Sequence, residues 1–184
     1  MTATSVTQVL GFYERLGDEL YDEKVSQSSH ALQCAALARS EGADDFLVAA
    51  ALLHDIGHLL DIETHGPVPP KSGVNFSHEK SGAQYLSKIF PPAVTDPIAL
   101  HVLAKRYLCA IDARYESSLS KGSRQSLIGQ GGAFDPKECA EFSQQPEAIN
   151  AINLRCWDDS GKVPGLTVPP LEDYRSLLDD LVII

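Results

Sequence analysis

Long apolar runs, paired cysteines and basic charge are all scarce in this chain. No apolar stretch reaches the roughly 20 residues of a membrane-spanning helix. The opening Met1-Thr2-Ala3-Thr4-Ser5 lacks the basic and apolar segments of a signal peptide, so a cytoplasmic protein is expected. Cys34, Cys109, Cys139 and Cys156 form no C-x-x-C pair and are expected to be buried or partly buried free thiols in a reducing compartment. Lys and Arg number 15 against 25 Asp and Glu, a net charge of −10, which argues against nucleic acid as a partner. An anionic small molecule stays open, but its site must be built locally from a few Lys, Arg or metal charges. Repeats and low-complexity linkers are absent, so residues 1–184 read as one domain with room for a sizeable core.

What is there is helical periodicity nearly throughout, with few alternating β-branched runs, and it predicts an all-α helical bundle. Helices are expected at 6–19, from a cap at Ser28 or Ser29 to Ala38, and from Asp44 or Asp45 to Leu60. Gly42 fits the end of the second. Residues 61–76, with Gly66, Pro67, Pro69, Pro70 and Gly73, read as a long loop of the kind that serves as a lid. Ser77 is expected to cap a fourth helix, and Pro91-Pro92 precedes a fifth over 94–111. Shorter helices are expected at 117–128, 136–143, 146–157 and 170–182, with Gly129-Gln130-Gly131-Gly132 between the first two.

His54-Asp55 stands out against this background. The pair follows the apolar run 46–53, and His58 comes one helical turn later. An unpaired buried charge costs several kcal/mol, and a divalent metal compensates it, because carboxylate and neutral imidazole are both good ligands. Helical spacing puts His54 and His58 on one face with Asp55 on its shoulder. Four further residues fall on separate landmarks: His30 at the start of the second helix, His78 at the start of the fourth, His101 within the fifth, and Asp158 near the end of the penultimate helix. Asp55 can bridge two metals, with His30, His54 and Asp158 on one and His78 and His101 on the other. A histidine and carboxylate set without thiolate favours iron or manganese over structural zinc. His65 is expected to be a bystander.

The His-Asp pair resembles that of the HD-domain superfamily, which implies an α-helical HD-domain bundle with a di-metal centre. Most members are phosphohydrolases. Four segments are more specific: His101-Val102-Leu103-Ala104-Lys105-Arg106-Tyr107-Leu108, Leu119-Ser120-Lys121-Gly122-Ser123-Arg124, Gln130-Gly131-Gly132 and Arg155-Cys156-Trp157-Asp158. They are similar to segments of the HD-domain phosphonate oxygenases, mixed-valent Fe(II)/Fe(III) di-iron enzymes related to myo-inositol oxygenase, and the resemblance spans about residues 27–175. It implies cleavage of the carbon–phosphorus bond of a 1-hydroxy-2-aminoethylphosphonate with dioxygen as co-substrate, releasing phosphate and glycine or an N-methylated glycine. Carried over residue by residue, it implies His30, His54, Asp55 and Asp158 on one iron and Asp55, His78 and His101 on the other. Lys105, Ser123 and Arg155 would hold the phosphonate, and His58 would touch the substrate or the ligands around it.

The match departs before His30. Glu23 fits the glutamate of the family's gate, but Leu20 stands at its tyrosine, with Tyr21 adjacent. A one-residue shift on a helix turns a side chain by about 100°. Tyr21 and Glu23 are therefore carried as substrate-side residues, and the missing tyrosine tilts the expectation towards an N-trimethylated substrate and glycine betaine. Tyr21 and Phe76 are candidate aromatic walls for such a cation. Two rival expectations are a metal-dependent phosphohydrolase of phosphate esters, in which the metals activate water, and a non-catalytic metal-binding domain.

Overall fold

A computed structural model describes residues 2–21, 24–66 and 77–183. Glu23, Phe76 and the proline-rich part of the expected lid lie outside these residues. Among the described residues the elements are α1 (Val6–Leu16), α2 (Gln27–Ser40), α3 (Asp45–Leu53), α4 (Ile56–His65), α5 (His78–Leu86), α6 (Pro92–Ile111), α7 (Ala113–Ser118), α8 (Lys121–Gly129), α9 (Pro136–Ser143), α10 (Ala148–Ser160), a 3₁₀ turn (Leu171–Tyr174) and α11 (Arg175–Asp180). The all-α expectation holds: among the described residues the one strand-like feature is an isolated bridge between Leu20 and Ser26. No described helix is long and apolar enough to cross a membrane.

The apolar helix α3 is the axis of the bundle. Leu47 through Leu53 are all buried, so beyond its exposed first two residues this helix has no solvent face and must be surrounded. α2, α6 and α10 pack against it, α5 packs on α4 and α6, and α1 lies on α4. One large core cluster joins residues of α1–α6, α10 and α11. A smaller one ties α6 to α9 and α10 through Ala104, Phe142, Ala148 and Ala151. A third, Cys109, Leu119 and Leu127, holds α7 and α8 against the end of α6.

Several boundaries differ from expectation, each for a local reason. The third helix is two. Asp55 adopts φ −101, ψ 13, and the axis breaks at His54-Asp55, so α4 starts afresh at Ile56. Ser26, not Ser28 or Ser29, caps α2, its hydroxyl accepting from the Ser29 amide at 3.2 Å. Ser77 precedes α5 in the left-handed region (φ 54) and makes no side-chain cap hydrogen bond. The 117–128 segment is α7 and α8, divided where Ser120 caps the latter. The last helix opens as a 3₁₀ turn. Residues 61–65 of the expected loop are helical. The cysteines are all free, with Cys34 and Cys109 buried, Cys139 partly buried and Cys156 exposed, which corrects the expectation for the last.

One glycine controls how closely α4 and α5 meet. A Cβ on Gly57 would lie 2.0 Å from the His78 carbonyl oxygen. That approach brings the first residue of α5 against the Asp55 break. Gly57→Ala is therefore expected to destabilise the fold by about 1–3 kcal/mol through overpacking, read as a lowered denaturation midpoint, and to separate His78 from Asp55.

Candidate metal centre

The break between α3 and α4 turns the Asp55 carboxylate into the bundle, where it is 5% exposed. Its two oxygens face different partners. Oδ2 lies 3.3 Å from His54 Nε2 and 3.5 Å from His30 Nε2. Oδ1 lies 3.3 Å from His78 Nε2, 3.7 Å from His101 Nε2 and 3.9 Å from His58 Nε2. Asp158, from α10, completes the first group with Oδ1 at 3.4 Å from His30 Nε2. Its carboxyl is pushed up by burial, but Arg155 and Lys162 outweigh that and hold it well below the usual carboxylate range.

The protons of three imidazoles can be assigned from their outer nitrogens. Nδ1 of His30 faces the Gly161 carbonyl at 2.8 Å, that of His54 the Ala51 carbonyl at 2.9 Å, and that of His101 the Ile98 carbonyl at 2.7 Å. A carbonyl only accepts, so each Nδ1 carries the hydrogen, and in the neutral, metal-binding form of the ring each Nε2 presents a lone pair. His30 and His54 Nε2 are 3.3 Å apart, and His78 and His101 Nε2 are 3.2 Å apart. Lone pairs thus converge on the carboxylates with few donors among them, and Asp55 Oδ2 is buried with no hydrogen-bond partner. A metal cation satisfies such an arrangement. The donor atoms of His30, His54, Asp55 and Asp158 all lie within 4.8 Å of one another, as do those of Asp55, His58 and His78. Imidazoles held through a backbone carbonyl are the usual support of metal ligands. Cys34 touches His30 at 3.8 Å, but its thiol donates to the Trp157 carbonyl and burial pushes its pKa up, so it does not supply a thiolate.

The structure brings together all six sequence-predicted ligand residues. It also places Tyr21 and His58 at their edge. Tyr21 stacks on His30, with centroids 3.9 Å apart, and its hydroxyl donates to Asp158 Oδ1 at 3.3 Å. The shift from Leu20 is resolved by backbone type: Leu20 sits in the extended bridge rather than a helix. Neighbours there point oppositely, leaving Leu20 63% exposed and Tyr21 inward. His58 stacks on His78 at 3.9 Å and its side chain is 36% exposed, well above that of its imidazole neighbours. His65 is exposed at the end of α4.

Beside the carboxylate of Asp158 lies a cluster of cations. Arg155 Nη1 donates to Asp158 Oδ2 at 2.6 Å, and its Nη2 lies 3.5 Å from Ser123 Oγ. Lys162 Nζ is 3.2 Å from Asp158 Oδ1 and 3.4 Å from Ser123 Oγ. Lys105, 2% exposed, donates to Ser126 Oγ at 2.7 Å. Burial, then repulsion from Arg155, lowers its pKa to about 8. Lys162, Asp159 and Tyr115 were missed from the sequence. Arg155, Asp158, Asp159 and Lys162 stand at i, i+3, i+4 and i+7, the period of one helix face, and that spacing was the available signal. The Gln130-Gly131-Gly132 segment is a structural turn here: Gly131 and Gly132 have φ 100 and 76, and the Gly132 carbonyl accepts from Arg106 Nε at 2.8 Å.

The HD domain family matches residues 28–124, more than half of the chain. Hydroxymethylphosphonate dioxygenase of Gimesia maris is 45% identical over 171 residues, 93% of this chain and 85% of that protein. The glycine-betaine-forming [1-hydroxy-2-(trimethylamino)ethyl]phosphonate dioxygenase of Leisingera caerulea is 36% identical over 173 residues, 94% of this chain and 87% of that protein. An uncharacterized protein of Acanthamoeba polyphaga mimivirus is 34% identical over 176 residues, 95% and 80% of the two chains.

Because both Asp55 oxygens face nitrogen ligands, Asp55→Ala is expected to lose both metals, whereas His101→Ala is expected to retain the one beside His30. Metal content by plasma emission spectroscopy checks this, with circular dichroism confirming that both variants fold.

Proposed function

This chain belongs to the HD-domain phosphonate dioxygenases, and from that premise we propose that it cleaves the carbon–phosphorus bond of a 1-hydroxyphosphonate with dioxygen, releasing phosphate. The observation that carries the reading is the join of two features on α10. Asp158 faces the imidazoles with one oxygen and Arg155 with the other, so the metal ligands and the anion-binding cations share one carboxylate. A phosphonate held by Arg155 is thereby adjacent to the metals.

Two iron ions fit the histidine and carboxylate set, one held by His30, His54, Asp55 and Asp158 and the other by Asp55, His78 and His101. In the mixed-valent Fe(II)/Fe(III) state such a pair supplies both dioxygen binding and Lewis-acid activation of the substrate's hydroxyl. The chain's own residues do the rest. Arg155, Ser123, Lys105 and Lys162 neutralise and orient the phosphonate through charge-assisted hydrogen bonds in an otherwise acidic protein. Tyr21 covers His30 and excludes water from that side. His58, at the open edge, would serve as the neutral acceptor of a hydroxyl proton. The names of the two dioxygenase relatives differ in what the hydroxyl-bearing carbon carries but share a hydroxyl and a phosphonate on one carbon, and that shared part is what these residues address. An N-trimethylated side group, the expectation from the missing tyrosine at Leu20, would have to share the Tyr21 ring with Lys162, whose Nζ stands 5.4 Å from the centroid. A phosphate-ester hydrolase would use such cations too, so oxygen dependence is what separates the two readings.

Two measurements test the proposal. Iron-loaded protein given hydroxymethylphosphonate or 1-hydroxy-2-(trimethylammonio)ethylphosphonate should release phosphate in air and none without oxygen. Oxygen-independent release from phosphate esters, with both phosphonates inert, would move the chain to the hydrolases. The pH profile carries a second signature. Lys105 is charged below about 8 and neutral above it, so kcat/KM should fall as pH rises through about 8. In Lys105→Gln, kcat/KM should be lower throughout and that limb absent.

A further inference from the structure

Asp159 stands within the cation cluster and takes no part in the reading above. Its Oδ1 meets Arg155 Nη2, lies 3.5 Å from Ser123 Oγ and 3.9 Å from Lys162 Nζ. Its Oδ2 accepts from Arg155 Nε at 2.9 Å and from the Tyr115 hydroxyl at 2.6 Å. These donors include those assigned to the phosphonate. A guanidinium offers five N–H groups. Carboxylates engage three of them in Arg155: one on Nη1 by Asp158, and those on Nε and Nη2 by Asp159. At most two remain for an incoming anion while Asp159 is in place. The two carboxylates differ in freedom: the Asp158 side chain is 2% exposed and locked, whereas that of Asp159 is 21% exposed and has a way out to solvent.

We propose that Asp159 is a resident counter-ion of the phosphonate seat, displaced when the substrate's phosphonate arrives and competing for the same donors when phosphate leaves. This rests on the assignment of Arg155, Ser123 and Lys162 to the phosphonate. A phosphonate or phosphate dianion brings more charge and more acceptor oxygens than one carboxylate, so it displaces Asp159 from Arg155 and Lys162. The exchange breaks no covalent bond. It keeps the Nε and Nη2 donors of Arg155 engaged when the seat holds no substrate, so that they are not buried without an acceptor. It also lowers the net attraction for the phosphate product. Asp159 is thus a positioning and release residue, and the strength with which phosphate is retained depends on its charge. Tyr115 anchors the carboxylate from the far side; burial pushes its phenol pKa up, so it remains a donor.

Inorganic phosphate titrated calorimetrically into the metal-loaded protein tests this without turnover. Asp159→Asn keeps the shape but removes the competing charge, and should bind phosphate about tenfold more tightly, the size of one charge-assisted contact. Asp159→Glu keeps the charge and should stay within about twofold of wild type. In turnover, Asp159→Asn should lower KM and kcat together, because phosphate leaves more slowly. Should Asp159→Asn fail to fold, Tyr115→Phe frees the carboxylate without changing charge and should tighten phosphate by a smaller factor. Unchanged or weaker phosphate binding in Asp159→Asn, or equal changes in the Asn and Glu variants, would overturn the proposal. The two readings separate cleanly. Tighter phosphate binding in Asp159→Asn from a protein inert to hydroxyphosphonates supports the seat and removes the dioxygenase. Hydroxyphosphonate turnover with phosphate affinity indifferent to Asp159 removes only the role given to Asp159.

Discussion

The Asp55 carboxylate, buried between two pairs of imidazoles, is the constraint on which the rest of the structure depends. Acceptors facing acceptors repel, and burial in a low-dielectric interior strengthens that repulsion. The surrounding helices are built to keep that arrangement in place. The break after α3 aims Asp55 inward, Gly57 lets α5 come close enough to deliver His78, and three backbone carbonyls hold imidazoles with their lone pairs inward. A bound cation turns each of these repulsions into an attraction. A metal bound there would therefore add to the fold's stability.

The second half of the site follows from α10. One face of that helix and the residues just beyond it carry Arg155, Asp158, Asp159 and Lys162. Asp158 links the metal ligands to the cations, and Arg155 links both carboxylates to Ser123. In a chain of net charge −10, the proposed anion seat would depend on this local balance rather than on overall charge. The arrangement also limits Arg155: a guanidinium surrounded by its own carboxylates is well positioned but only partly available.

How much of this was legible in the sequence depends on whether a feature is local. The all-α class and the six His and Asp positions were readable, because helical period and residue chemistry are properties of short windows. The split at His54-Asp55 was not. The run through Leu60 is a continuous helix by propensity, and the break comes from tertiary demand on the Asp55 side chain. The cap at Ser26 was missed among neighbouring serines for a similar reason, since the bridge to Leu20 sets where the helix starts. That bridge also explains why Tyr21 reaches His30 despite its offset from Leu20. Lys162 and Asp159 escaped because an isolated charge near a helix end reads as solvated. Only the i, i+4, i+7 relation to Arg155 marks them as one face.

The central claim is that Asp55 joins two metals in one centre. Mössbauer and electron paramagnetic resonance spectra of the protein loaded with iron-57 address it most directly. The account predicts two irons per chain with exchange-coupled spins, as a shared carboxylate and close ligand sets require. One iron per chain, or two irons with the spectra of isolated ions, would contradict it.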